Sequence, residues 1–219
     1  MKEAYTLDLP LKNIVRKAGS KGPSIFFLHG FGSNMQDLFG LSPFFPEDWT
    51  CISLQASIPI HYGGWAWAEL NPSNIAKAPK PDQYLSHQEQ IVDSIGQCIE
   101  LLDLDEKKVN LLGFSQGASL SIICGLKSPS IFNSLVALCG FLPIEDLADK
   151  IDKTKIKNTR IFMGNGKFDQ TVPIHYAHGS RDGLIDLGIK PDYREYNSEH
   201  TIPNDCLNDV IVWLKKMNE

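Results

Sequence analysis

Short, continuously apolar runs separated by longer amphipathic stretches recur along the whole chain, and no other feature constrains the fold as much. Residues 24–29 (SIFFLH), 50–54, 109–114, 135–139 and 160–163 are rich in apolar and β-branched side chains. A strand reads this way when both of its faces are covered, as in a mostly parallel sheet with helices on either side. Asp192–Tyr196 alternates instead, as an edge strand should. Between these runs, Ser86-His87-Gln88-Glu89 has the form of a capping box, opening a helix whose apolar face is Ile91, Ile95, Cys98, Ile99 and Leu102. Further helices are predicted over Ser115–Leu126, over Ile174–Leu187 (stopped by Gly188 with Pro191 beyond), and from about Asn204 to Lys216. The expected class is α/β, with a mostly parallel central sheet and helices on both faces.

A chain of 219 residues fits a single domain, 1–219. In one segment, about 55–81, no strand or helix pattern fits most of the residues; it carries Pro59, Pro72, Pro79, Pro81, Gly63-Gly64, Trp65 and Trp67. Connections of that length in a compact domain are usually functional, and this one is too apolar for a linker, so a pocket-side loop is expected. The net charge of −5 argues against a dedicated nucleic-acid binder, which needs clustered Lys and Arg. No run approaches the roughly 18 apolar residues of a membrane span, and the first residues lack the apolar run of a signal peptide. The five cysteines, Cys51, Cys98, Cys124, Cys139 and Cys206, are odd in number and contain no C-x-x-C pair. They fit neither a disulfide scaffold nor a zinc site, and no metal or cofactor is expected. The chain reads as soluble, reduced and cytoplasmic.

Gly113-Phe114-Ser115-Gln116-Gly117 matches G-x-S-x-G where a buried strand turns directly into a helix, the setting of a nucleophile elbow. The flanking glycines suit a turn so sharp that neighbouring Cβ atoms would collide. A serine hydroxyl needs a base and an orienting acid, and this topology puts them later in the chain in the order acid, histidine. Of the histidines after Ser115, His175 and His178 fall within a helix. His200 lies in a short loop between strand and helix, where such a sheet presents catalytic groups. Asp169 lies in the loop after the 160–163 strand. Asp146, Asp149 and Asp152 precede that strand, Asp182, Asp186, Asp205 and Asp209 fall in helices, and Asp192 starts a strand. Asp169 is therefore the acid expected to fix the His200 tautomer. The expected oxyanion donors are the backbone N–H groups of Gln116, at a helix N-terminus, and Phe31, in the loop His29-Gly30-Phe31-Gly32-Ser33. His29, preceding Ser115 in the chain, is expected to be structural.

Leu28-His29-Gly30-Phe31-Gly32, the Gly113–Ala118 elbow, Asp169 before Val172-Pro173, and His200 before Ile202-Pro203 together resemble the phospholipase/carboxylesterase family over nearly the full chain. That family has the α/β-hydrolase fold and includes acyl-protein thioesterases and small bacterial carboxylesterases. Gly63-Gly64-Trp65-Ala66-Trp67-Ala68-Glu69-Leu70 resembles its stretch beside the acyl groove. Glu69 stands where the family usually has Asp, and Glu199 where it usually has Gly.

The resemblance implies cofactor-free hydrolysis of carboxylic esters or thioesters, of small or medium acyl esters, lysophospholipid or acyl-protein thioester, through Ser115, Asp169 and His200. It also implies that Trp65 and Trp67 line the acyl pocket; the plainer alternative, aromatics covering the sheet edge, stays open. Two other readings stay open too: a non-catalytic ligand-binding protein of the same fold, and an amidase or peptidase on the same triad, although an amide demands leaving-group protonation that no sequence feature here requires. Ester versus thioester, lipid versus protein substrate, and a homodimer are likewise left open.

Overall fold

The computed structural model describes residues 3–19, 21–61, 63–70, 81–142, 147 and 151–219, with the backbone alone at 81–83. A seven-stranded sheet organises the molecule in the order β1-β3-β2-β6-β7-β8-β9. Its strands are β1 (Asn13–Arg16), β2 (Ser24–Leu28), β3 (Thr50–Leu54), β6 (Val109–Phe114), β7 (Ser134–Leu138), β8 (Ile161–Gly166) and β9 (Asp192–Tyr196). All neighbours pair in parallel except β1, which runs antiparallel to β3 at one edge; β9 forms the other edge, as its alternation predicts. The two-residue strands β4 (Ile58–Pro59) and β5 (Trp65–Ala66) pair with each other beside the main sheet.

The central strands are apolar throughout because successive side chains enter different cores. Phe26 and Leu28 of β2 join Ile91 and Ile95 of α2 (Pro81–Leu102), several side chains of α3 (Gln116–Lys127) and Leu184 of α4 (Ile174–Asp186). Ile25 and Phe27 face the other way, with Leu38 of α1 (Met35–Phe39) and with Val210, Trp213 and Leu214 of α5 (Asn204–Met217). Helices therefore cover both faces. Each fully buried Leu, Ile or Phe contributes about 1.5–3 kcal/mol relative to exposure.

One expectation needs correction. Helix α2 begins at Pro81, before Ser86, because proline at the first helical position forfeits no hydrogen bond. Ser86 then lies inside the helix and forms no cap; Gln90 Nε2 instead donates to its carbonyl and hydroxyl oxygens, both at 3.3 Å. The expected 55–81 loop is only partly described, since 62 and 71–80 lie outside the described residues. The part that is described contains the β4–β5 pair. All five cysteines are free and buried. Among the described residues no helix is long and apolar enough to cross a membrane.

Candidate active site

Strand β6 ends at Phe114 and helix α3 begins at Gln116, leaving one residue, Ser115, to make the turn. Its φ of 55° and ψ of −116° lie outside the usual regions for a residue with a Cβ, a conformation costing of order 1–3 kcal/mol. The glycines make it feasible. A Cβ on Gly113 would meet the Gly117 carbonyl, and one on Gly117 would meet the backbone of Leu28. The Ser115 N–H donates to the Leu138 carbonyl on β7 (2.8 Å), which holds the turn down. Serine is a strong helix N-cap, yet this hydroxyl makes no capping bond.

The Ser115 hydroxyl instead meets His200. The Ser115 Oγ lies 3.0 Å from His200 Nε2, and His200 Nδ1 lies 2.7 Å from Asp169 Oδ2. His200 follows β9 and Asp169 follows β8, so three loops at the same edge of the sheet supply the three groups. The Asp169 side chain is almost fully buried, and its second oxygen accepts the N–H groups of Thr171 (2.9 Å) and Val172 (2.8 Å). Both carboxylate oxygens are thus held, so the acid fixes one imidazole orientation. The Phe114 ring packs on the His200 ring at 4.9 Å. Glu199, exposed beside His200, leaves this geometry intact.

Neither the Phe31 nor the Gln116 backbone N–H donates to an acceptor among the described residues, and both residues line the same cavity as Ser115. The Phe31 loop is pinned from behind, with Gly32 N–H donating to Trp65 O (3.0 Å) and Trp65 N–H to Ser33 O (2.8 Å). This close approach needs Gly64, whose added Cβ would strike the Gly32 carbonyl. Such preorganised amides are what a developing oxyanion requires.

His29 is fully buried. Its Nε2 accepts the Ala56 N–H (3.1 Å), so Nδ1 carries the proton and donates to Gly30 O (2.7 Å). Burial holds its pKa below the ordinary histidine value, and the Gly30 carbonyl opposes that shift. It is a neutral structural residue, as expected.

The tryptophans sit elsewhere than expected. Trp67 is fully buried, its indole N–H donating to His29 O (2.8 Å) and its ring packing on His29 and His87. Trp65 is half-buried, with the Lys12 ammonium over its ring. Neither lines the cavity beside Ser115. A buried indole needs a hydrogen-bond partner, and that need draws Trp67 inward to the His29 carbonyl.

The cavity encloses about 450 Å³. Phe31, Tyr84, Phe114, Phe141, Val172 and Tyr176 make it largely apolar around the Ser115 hydroxyl. Two features here escaped sequence reasoning. The Gln116 side chain accepts from Trp67 N–H (2.8 Å) and donates to Ala68 O (2.7 Å), tying the Trp67 segment to the elbow. The Tyr84 phenol is buried against Ser119 and Gln116, and burial raises its pKa. A residue directly after the elbow serine was a signal for Gln116; Tyr84 carried none. The one group of three metal-ligating side chains found among the described residues is Cys139, Asp169 and His200. Asp169 and His200 are already bonded to each other there.

Comparison with known proteins places this geometry among relatives. The model of a family described as phospholipase/carboxylesterase matches residues 9–218. The acyl-protein thioesterase 1 of Yarrowia lipolytica is 28% identical over 218 residues, covering 88% of this chain and 91% of that protein. The acyl-protein thioesterase 1 of Kluyveromyces lactis is 38% identical over 134 residues, 59% of this chain and 54% of that protein. Among solved structures, a carboxylesterase from Mesorhizobium loti superposes with a TM-score of 0.84 at 22% identity, covering 97% of this chain and 98% of that one. That last likeness speaks to fold alone.

Proposed function

The chain belongs to the phospholipase/carboxylesterase family of ester and thioester hydrolases, and from that premise we propose that it cleaves acyl esters or thioesters through Ser115, His200 and Asp169. The observation that carries the reading is the unbroken chain of contacts from Ser115 Oγ to His200 Nε2 (3.0 Å) and from His200 Nδ1 to Asp169 Oδ2 (2.7 Å) at the wall of an apolar cavity. His200 takes the Ser115 proton as the oxygen attacks the acyl carbonyl. The Phe31 and Gln116 amides hold the tetrahedral oxyanion, and Asp169 stabilises the imidazolium. His200 then protonates the departing alcohol or thiol. Water, deprotonated by His200, adds to the acyl-enzyme and regenerates Ser115.

The substrate is an acyl ester or thioester whose apolar chain lies against Phe114, Phe141 and Tyr176; an acylated protein, as for the thioesterase relatives, and a lipid ester both satisfy that chemistry. Residues 1–219 are read as one domain. Five buried free thiols fit a reducing compartment such as the cytoplasm.

Two measurements test the reading. Ser115→Ala should abolish both fluorophosphonate labelling and hydrolysis of p-nitrophenyl butyrate, since losing a triad nucleophile costs on the order of 10⁶ in kcat. Labelling of any residue other than Ser115, with turnover retained, would reassign the nucleophile. A panel of p-nitrophenyl and thioester substrates of increasing acyl length then orders the substrate classes.

A further inference from the structure

Three separate loops bring Ser115, Asp169 and His200 together, so contacts of 2.7 and 3.0 Å require something that fixes those loops against one another. Residues 138–140, at and just past the end of β7, touch all three. The Leu138 carbonyl accepts the Ser115 N–H (2.8 Å). On the acid side, Cys139 N–H donates to Gly164 O (2.8 Å) and Asn165 Nδ2 to Gly140 O (3.3 Å), both from the strand that leads into Asp169. Gly140 lies so close to the elbow that a Cβ there would stand 2.6 Å from the Ser115 carbonyl.

The link to the histidine loop is a side chain. The buried Cys139 thiol donates to the carbonyl of Thr201, next to His200 (3.2 Å). Its Sγ and the ligand atoms of Asp169 and His200 all lie within 4.8 Å of one another. Cys139 holds φ at 50°, unusual for a residue with a Cβ. Burial, with the Asp169 charge beside it, pushes the thiol up to about 12, so it keeps its proton and can donate.

We propose that Cys139 is a positioning residue: its thiol ties the histidine loop to the end of β7, which its own N–H holds to the strand that leads into Asp169, and so sets the height of His200 over Ser115. The inference rests on the triad reading above. Cys139→Ser retains a donor, whereas Cys139→Ala and Cys139→Gly remove it. Glycine accepts a positive φ without strain, so that variant folds even if alanine does not.

A small misplacement of catalytic groups is expressed in the chemical step, so both donor-less variants should lose about tenfold to a hundredfold in kcat on p-nitrophenyl butyrate, with KM changed by no more than about twofold. Fluorophosphonate labelling of Ser115 should slow in parallel. Cys139→Ser should stay within about threefold of the parent, because a hydroxyl replaces the thiol donor. The inference is overturned if the Ala or Gly variant keeps its kcat, if KM rises in place of a kcat loss, or if Ser loses as much as Gly. Ser115→Ala assayed alongside separates the two ideas: turnover there refutes the triad itself, whatever the Cys139 variants do.

Discussion

Asp169→Asn puts the proposed division of labour under strain without changing side-chain shape. One carboxylate oxygen accepts two backbone N–H groups, from Thr171 and Val172 at 2.9 and 2.8 Å; the other faces His200 Nδ1 at 2.7 Å. An asparagine must put its NH₂ at one of these positions. Turned toward the backbone, it would oppose two fixed donors. Turned toward His200, it opposes one, and that clash disappears if the imidazole proton moves from Nδ1 to Nε2. The second arrangement wins, and Nε2 then donates to Ser115 Oγ and has no lone pair to accept the hydroxyl proton. Locking the wrong tautomer in this way costs about 10⁴ in kcat, which corresponds to about 5 kcal/mol of transition-state stabilisation. Asparagine still satisfies both backbone donors, so thermal unfolding should move little. Asp169→Ala would instead leave buried donors unpaired, at about 1–3 kcal/mol each. Steady-state hydrolysis of p-nitrophenyl butyrate by purified Asp169→Asn is the assay. Activity within tenfold of the parent would refute the reasoning, because Asp169 would then not govern the tautomer.

The remaining predictions concern packing and pH. Gly117→Ala should destabilise the fold by more than the usual 1–3 kcal/mol of overpacking, since its Cβ meets the Leu28 backbone, which cannot rotate away; a soluble variant with an unchanged unfolding midpoint would contradict this. Trp67→Ala should cost about 3–5 kcal/mol and depress acetate and longer-chain esters in equal proportion, because Trp67 is buried away from the cavity; a loss confined to long chains would return it to the acyl wall. His29 has a folded pKa below its unfolded value of about 6.5, so the unfolded chain takes up this proton first and stability rises with pH. Its contribution is complete above that value and declines as pH falls through it toward the depressed folded pKa. An imidazole resonance for His29 that titrates at or above pH 6.5 would sink this assignment.

The sheet was legible where strands are covered on both faces. Residues 50–54 and 109–114 form strands with the bounds their apolar runs predict, since no alternation is needed when each face meets helices. Strand β1 was not legible: Asn13–Arg16 is short, alternates in burial, and is ordered by pairing with β3 rather than by its own pattern. The start of α2 was misjudged because a well-formed capping signature at Ser86 competed with a proline that suits the first turn equally well. The candidate Ser115 was legible as a G-x-S-x-G motif at a strand-to-helix turn, and Asp169 and His200 from chain order and loop position, which the topology dictates. Trp67 was not, because its placement depends on the His29 carbonyl, a partner 38 positions away.

The backbone strain in this molecule is distributed in a way that bears on the site. Among the described residues, three non-glycine residues have positive φ: Asp103, Ser115 and Cys139. Asp103 follows the end of α2, where aspartate tolerates the left-handed region. The other two stand at the ends of adjacent central strands, β6 and β7. Strained conformations persist only where the surroundings over-determine them, and an edge strand, paired on one side, supplies less constraint. Here β6 is flanked by β2 and β7, and β7 by β6 and β8, so the strand leading to each strained residue is paired on both sides. The Ser115 amide is held by the Leu138 carbonyl, and the Cys139 amide by Gly164. Among the described residues the strain at the site thus stays on the Ser115 side, where the strands are paired on both sides, while Asp169 and His200, which follow β8 and the edge strand β9, adopt no positive φ.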